Sequence, residues 1–386
     1  RGPDRHVPQP AAPVGGHVTT PGAAVPVDPP GYAARAALVM DDNARAYVDG
    51  GAGDESTLRD NLAAWSRLRL RPRVLRDLAG GHTRVDLLGR TLDHPLLLAP
   101  VAYQRLVHPD GEAATALAAA AQGTGLVLSA QSSVPLERVA GLVRDDAGRG
   151  PLWFQLVLPH DRGFARELLA RVEGAGFEAL VLTVDAPVNG VRDRERRARF
   201  TLPPGVRAVN LDGLAPPPTV GAGSVFAQWM AQAATWADVD WLLQQTRLPV
   251  LLKGVLHADD ARRAVAQGAA GVIVSNHGGR TLDGALATAD ALPPVVQAVA
   301  GQVPVLVDGG IRRGVDVLRA CALGARAVLI GRPQVHALAV GGPHGVAHLL
   351  RLLRDELEVA MALCGCGSLA QAGESLVAPA GRIHTP

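Results

Sequence analysis

From residue 96 onward the chain repeats one pattern eight times: a short run rich in valine and leucine, then a stretch rich in alanine, arginine and glutamate. The runs are "LLLAPVA" (96–102), "LVLSA" (126–130), "LWFQLV" (152–157), "ALVLTVD" (179–185), "PVLLKG" (249–254), "GVIVSN" (271–276), "PVLVDGG" (304–310) and "AVLIGR" (327–332). Runs apolar on both faces read as buried parallel strands, with the helices between them as crossovers. Eight such units over about 250 residues predict an α/β protein of the (β/α)8 TIM barrel type. The main competitor, a doubly wound open sheet, more often shows fewer strands and an early G-x-G-x-x-G, which is absent here.

Two stretches fall outside the rhythm. Residues 1–31 are rich in proline, glycine and alanine, with too little large apolar surface to offset ordering entropy. They are expected to form a flexible tail, with the barrel domain at 32–386. More than sixty residues separate "TVD" (183–185) from "PVLLKG". A connection of that length predicts a lid or disordered segment, here an active-site loop at about 201–236 over the C-terminal face.

Composition narrows the function classes. A net charge of +2 gives no electrostatic case for nucleic acid or a membrane surface. No apolar run reaches the roughly 18 residues of a membrane span, and the first thirty residues lack the apolar core of a signal peptide. Cys321, Cys364 and Cys366 make no disulfide framework and suit a reducing compartment, so the expected location is cytoplasmic. The "LCGCG" pair is closer than zinc-ligand spacing and lacks a companion pair, so no metal site is expected.

In a barrel the chemistry sits at the C-terminal ends of the strands. Those ends carry Ser129, Gln155, Thr183, Asp185, Lys253, Ser275, Asn276, His277, Asp308 and Arg332. One polar strand end is explained as a cap or turn residue; a ring of seven points to a site. Lys253 is the single lysine among 38 lysines and arginines, a compact point charge where every other cation is a planar fork. "DGGIRRG" and "IGRP" follow strands 7 and 8, the usual barrel phosphate site, and offer Gly309, Gly310, Gly331, Arg312 and Arg332 to a phosphate-bearing ligand. "SNHGGRTLDG" (275–284) places His277, a candidate general base, three residues before Arg280, a candidate carboxylate grip. A glycine turn with solvent-facing side chains is the competing reading of that stretch.

"SNHGGRTLD", "TVDAP", "LLKGV", "DGGIRRGVDVLRACALGA" and "IGRP", in this order and spacing, resemble the FMN-dependent 2-hydroxy acid oxidase/dehydrogenase family, from about residue 44 to 370. "LLLAPVAYQRLVHPDGE" (96–112) and "RPRVLRDLAG" (71–80) are most similar to its bacterial 4-hydroxymandelate oxidase branch. The resemblance implies that His277 takes the substrate's proton and that Asp185 stabilises the resulting imidazolium. It assigns the substrate carboxylate to Arg280 and Arg192, helped by Tyr47. It lays Pro100, Val101 and Ala102 along the flavin, with Ser129, Gln155, Thr183 and Ser275 bonding its ring and ribityl chain. Asp308, Gly309, Gly310, Arg312, Gly331 and Arg332 would hold ribityl hydroxyls and phosphate. Lys253 would face the charge that FMN gains on reduction, a buried salt bridge being its alternative.

The chain departs from the family at "FQLV", where Val157 stands in place of a tyrosine that touches substrate in many members. The lost hydroxyl and added space favour a bulkier, aryl-substituted 2-hydroxy acid. Of "RDRERRAR" (192–199), only Arg192 is placed at the site; Arg194, Arg196, Arg197 and Arg199 read as a solvated face. The expected activity is oxidation of a mandelate-like 2-hydroxy acid to the 2-oxo acid, with O2 reoxidising FMN to give hydrogen peroxide, in a homotetramer. Alternatives are a quinone or protein acceptor, oxidative decarboxylation of a larger substrate, and a non-redox barrel isomerase.

Overall fold

The eight apolar runs form eight strands: β1 (Leu96–Leu98), β2 (Gly125–Ser129), β3 (Leu152–Leu156), β4 (Ala179–Thr183), β5 (Val250–Val255), β6 (Gly271–Val274), β7 (Val305–Val307) and β8 (Ala327–Ile330). They pair in chain order, all parallel, and β8 closes on β1 with Val328 opposite Leu96 and Ile330 opposite Leu98. The computed structural model describes residues 25–215, 224, 226 and 233–379; residues 1–24 of the tail expected at 1–31, and residues 216–223, 225 and 227–232 of the expected loop, lie outside the described residues.

Every residue of β1 to β4 and β6 to β8 is buried. One set of side chains fills the barrel, and the other packs under the helices, which is why the runs do not alternate. Two strands show what stops the ladder. Beyond β1, Pro100 lacks an N–H. Beyond β7, Gly309 and Gly310 take φ of 90° and 83°, outside the extended region. The polar residues of the runs therefore gather at the mouth, Ser129, Gln155, Thr183 and Lys253 in the last rungs of the ladder and Asp185, His277 and Asp308 just beyond it.

Among the described residues, helix already occupies the end of the stretch 1–31. A helix spans Pro29–Val39, with Pro29 at its first position and the Asp28 carboxylate accepting from Gly31 N at 2.7 Å. A proline at that position costs no hydrogen bond, so this Pro/Gly-rich stretch starts the helix. Helices Asp42–Asp49 and Ser56–Arg67 follow. After β4 come a short helix, Asp193–Arg197, a 3-10 turn, Val209–Leu211, and the helix Trp236–Gln245. Among the described residues no helix is long and apolar enough to cross a membrane, and Cys321, Cys364 and Cys366 are free and buried.

Candidate active site

Asp185 lies two residues beyond β4 and His277 three beyond β6. His277 Nδ1 and Asp185 Oδ1 are 3.0 Å apart. Two backbone features allow this approach. Gly254 has φ of 114°, and a Cβ there would lie 2.4 Å from the Asp185 Cβ, so only glycine lets Asp185 rest on β5. His277, Gly278 and Gly279 take φ of 57°, 65° and 73°, a left-handed run that turns the imidazole back over the barrel. A Cβ on Gly279 would sit 2.6 Å from Leu58 N.

Burial pushes the His277 pKa below its ordinary value; the bond from Asp185 opposes this, and the Lys253 and Arg280 charges push further down. The imidazole is therefore neutral at neutral pH. With Nδ1–H held by ionised Asp185, Nε2 keeps its lone pair for a proton. Burial alone would raise the Asp185 pKa, but the His277 bond and the His277 and Lys253 charges outweigh it, leaving the carboxyl below its usual range. Its Oδ2 is buried without a partner.

Around the mouth the strand ends form a polar chain. Ser129 Oγ donates to Gln155 Oε1 at 3.1 Å, and Gln155 Nε2 donates to Thr183 Oγ1 at 2.9 Å. Lys253 Nζ donates to Ser275 Oγ at 2.9 Å and pairs with Asp308 Oδ2 at 3.0 Å. The salt-bridge alternative for Lys253 is thus realised, but its partner is another member of the ring, and one of three ammonium donors is left over. Burial pushes Lys253 down; Asp308 and Asp185 more than offset it, so the ammonium stays charged. Pro100, Val101 and Ala102 lie half-buried beside this chain at the end of β1.

Several features here call for a ligand that is part hydroxyl donor, part anion. Asp308 Oδ1 is buried with no partner. Burial lowers the Arg312 pKa to about 10, and burial plus repulsion from Arg280 and Arg312 lowers that of Arg332 to about 9. An anion would relieve this crowding of buried cations. Gly309 and Gly310 are pinned: the Gly309 carbonyl accepts from Trp65 Nε1 at 2.8 Å and Thr288 Oγ1 at 3.0 Å, and a Cβ on Gly310 would sit 2.2 Å from Asn61 O. The residues fit FMN: an acceptor for ribityl hydroxyls, cations for phosphate and a lysine for the ring. The Arg332 side chain already has backbone partners. The Arg332 guanidinium donates to Val48 O at 3.0 Å, Gly278 O at 2.9 Å and Gly50 O at 2.8 Å. Its side chain braces the loops, and the N-terminus of the helix Arg332–Leu363 is a further candidate for an anion there.

Arg280 and Arg192 meet beside His277. Gly190 makes the meeting possible, because a Cβ there would lie 2.5 Å from the Arg280 carbonyl. Arg280 Nη1 donates to the carbonyls of Tyr47 at 2.5 Å and Gly50 at 2.9 Å, and its Cζ lies 4.9 Å from the centre of the Tyr47 ring. Burial holds the Tyr47 hydroxyl above its usual range despite both arginines, so it stays protonated as a donor. Three neighbours were not expected from the sequence. Phe200 stacks on Tyr47 at 4.9 Å, Tyr103 meets Tyr47 edge-on at 5.9 Å, and Glu195 bridges the two arginines. Tyr103 follows Pro100–Ala102, which are expected along the flavin, and is one of only three tyrosines, which was its available signal. Glu195 was hidden inside a charge run. In that run Arg194, Arg196, Arg197 and Arg199 are exposed as expected, and Arg194 also reaches Glu55 at 2.5 Å. Val157, beyond β3, is 49% exposed.

A closed (β/α)8 barrel with this base, lysine and anion site defines an FMN-dependent oxidoreductase. The model of the FMN-dependent dehydrogenase family matches residues 36–379, and the chain belongs to that family. L-lactate oxidase of Nostoc sp. is 52% identical over 329 residues, covering 84% of this chain and 90% of that protein. Glycolate oxidase 1 of Zea mays is 47% identical over 330 residues, 84% of this chain and 88% of that protein. A solved structure of mandelate oxidase with (S)-2-phenylpropionate superposes with a TM-score of 0.82 at 43% identity, covering 91% of this chain and 98% of that one.

Proposed function

We propose that the protein oxidises an aryl-substituted, mandelate-like 2-hydroxy acid to the 2-oxo acid, with O2 as the final acceptor. The observation that carries this reading is the His277–Asp185 pair at 3.0 Å, set between Lys253 and the Arg280–Arg192 cluster. Bound FMN supplies the two-electron acceptor. Arg280 and Arg192 grip the substrate carboxylate, Tyr47 donates to it, and neutral His277 Nε2 takes a proton from the substrate. Asp185 then faces an imidazolium and stabilises it. Lys253 keeps a fixed ammonium at the flavin ring, where it favours the reduced state. The oxidase names of the relatives support oxygen as acceptor. We extend the reading to a cytoplasmic homotetramer.

Val157 supports the aryl side chain, since valine leaves more room and no hydroxyl at the end of β3. The 52% identity to an L-lactate oxidase favours a second reading, a small aliphatic substrate. Anaerobic mixing of the FMN-loaded protein with mandelate or lactate separates them through the flavin's visible absorbance. Faster bleaching by mandelate is expected. Faster bleaching by lactate gives the second reading, and no bleaching by either defeats both. Readmitting air should restore the colour if oxygen is the acceptor.

A further inference from the structure

The two arginines already hold a carboxylate that belongs to the protein. A single oxygen of Glu195, Oε1, accepts from Arg280 Nη2 at 3.2 Å and from Arg192 Nη1 at 3.4 Å. The three side chains are largely enclosed, 15% exposed for Glu195, 13% for Arg280 and 17% for Arg192. Glu195 stands on the helix Asp193–Arg197, which is anchored through Arg194 to Glu55 and begins at Arg192 itself. Arg280 is fixed from the other side by the Tyr47 and Gly50 carbonyls. Arg192 Nε is buried without a partner, so this arginine retains a donor for an incoming oxygen. The result is a rigid cluster of two guanidiniums and one carboxylate, with a net charge of one.

We propose that Glu195 is a specificity-determining residue that sets this charge, so that the site accepts one carboxylate and rejects a substrate whose side chain carries a second. The proposal rests on the reading of Arg280 and Arg192 as the carboxylate grip. The reason is electrostatic. A monoanionic 2-hydroxy acid neutralises the cluster. A 2-hydroxy dicarboxylate brings a second charge that this cluster can no longer neutralise, close to Glu195, where screening is weak. Neutralising Glu195 raises the cluster charge by one, and a dianion gains about twice as much from that as a monoanion. Loss of positioning, by contrast, weakens both kinds of substrate together. The ratio of their kcat/KM values therefore isolates the charge effect from a merely structural role.

The test compares kcat/KM for 2-hydroxybutyrate, a monoanion, and malate, a dianion of similar size, in the FMN-loaded protein. Glu195→Gln is expected to raise the malate-to-hydroxybutyrate ratio at least tenfold, and Glu195→Asp to keep the wild-type ratio. An unchanged ratio in a Glu195→Gln protein with a normal flavin spectrum overturns the proposal. Where that variant loses FMN, the wild type carries the test: malate must bind at least tenfold more weakly than 2-hydroxybutyrate, judged by perturbation of the flavin spectrum, and equal affinity overturns the proposal. Arg280→Met reads the underlying assignment separately. Undiminished turnover of 2-hydroxybutyrate in that variant removes the grip, and the charge filter with it.

Discussion

At the scale of single residues, the site is a set of charges that fix one another's protonation. Asp185 raises His277 while burial, Lys253 and Arg280 lower it, and the net shift is downward. Flavin reduction by substrate therefore rises with pH as His277 loses its proton, through a midpoint below that of an ordinary histidine. Asp185→Asn removes the one influence holding His277 up. Its low-pH limb should move to still lower pH, and the maximal reduction rate should fall by roughly 10²-fold or more. A rapid-mixing pH profile checks both, and an unmoved limb would refute the pairing. Lys253 is just as constrained, being 4% exposed with Asp308 at 3.0 Å. Lys253→Arg forces a wide planar fork where a point charge fits, so reduction should slow by about 10²-fold or FMN binding should weaken. Wild-type titration and kinetics in that variant would remove the electrostatic role of the lone lysine.

At the scale of elements, the strand ends and their glycines do the placing. The ring of polar strand ends was legible in the sequence because each lies late in an apolar run or just after one. What was not legible was which of them would touch. Lys253 pairing with Asp308 joins β5 to the end of β7, and Asn61 exchanges two 2.8 Å bonds with Asn276 from a helix more than two hundred residues earlier. Contacts of that kind are set by tertiary closeness and leave no local pattern. Arg332 shows the same limit: its position after β8 was readable, but the three carbonyls that take up its guanidinium come from two other segments. Gly254 gives this scale its own test. Gly254→Ala puts a methyl group 2.4 Å from the Asp185 Cβ at a φ of 114°. The strain should cost about 1–3 kcal/mol of stability. Asp185 should also be pushed off His277, with flavin reduction at least tenfold slower; thermal unfolding and rapid mixing measure the two. An alanine variant with normal stability and rate would show that Asp185 has slack against β5.

At the scale of the whole molecule, a closed parallel barrel was readable because its strands are buried on both faces and so announce themselves as unbroken apolar runs. The segments around the barrel were less readable. The start at Pro29 was hidden by a proline-rich composition that suits both a tail and a helix N-terminus. Glu195 and Tyr103 acquire their roles only when the β4–β5 connection and the end of β1 fold over the same mouth. The barrel thus brings His277, Lys253 and the Arg280–Arg192 pair from separate strand ends and loops to one place, and the account stands or falls on His277 as the proposed base. The measurement that tests it most directly is anaerobic rapid mixing of the FMN-loaded wild type and His277→Ala with mandelate. The account predicts rapid bleaching in the wild type, and in His277→Ala retained FMN with reduction slower by about 10²–10⁴-fold. Equal rates in the two proteins would contradict it.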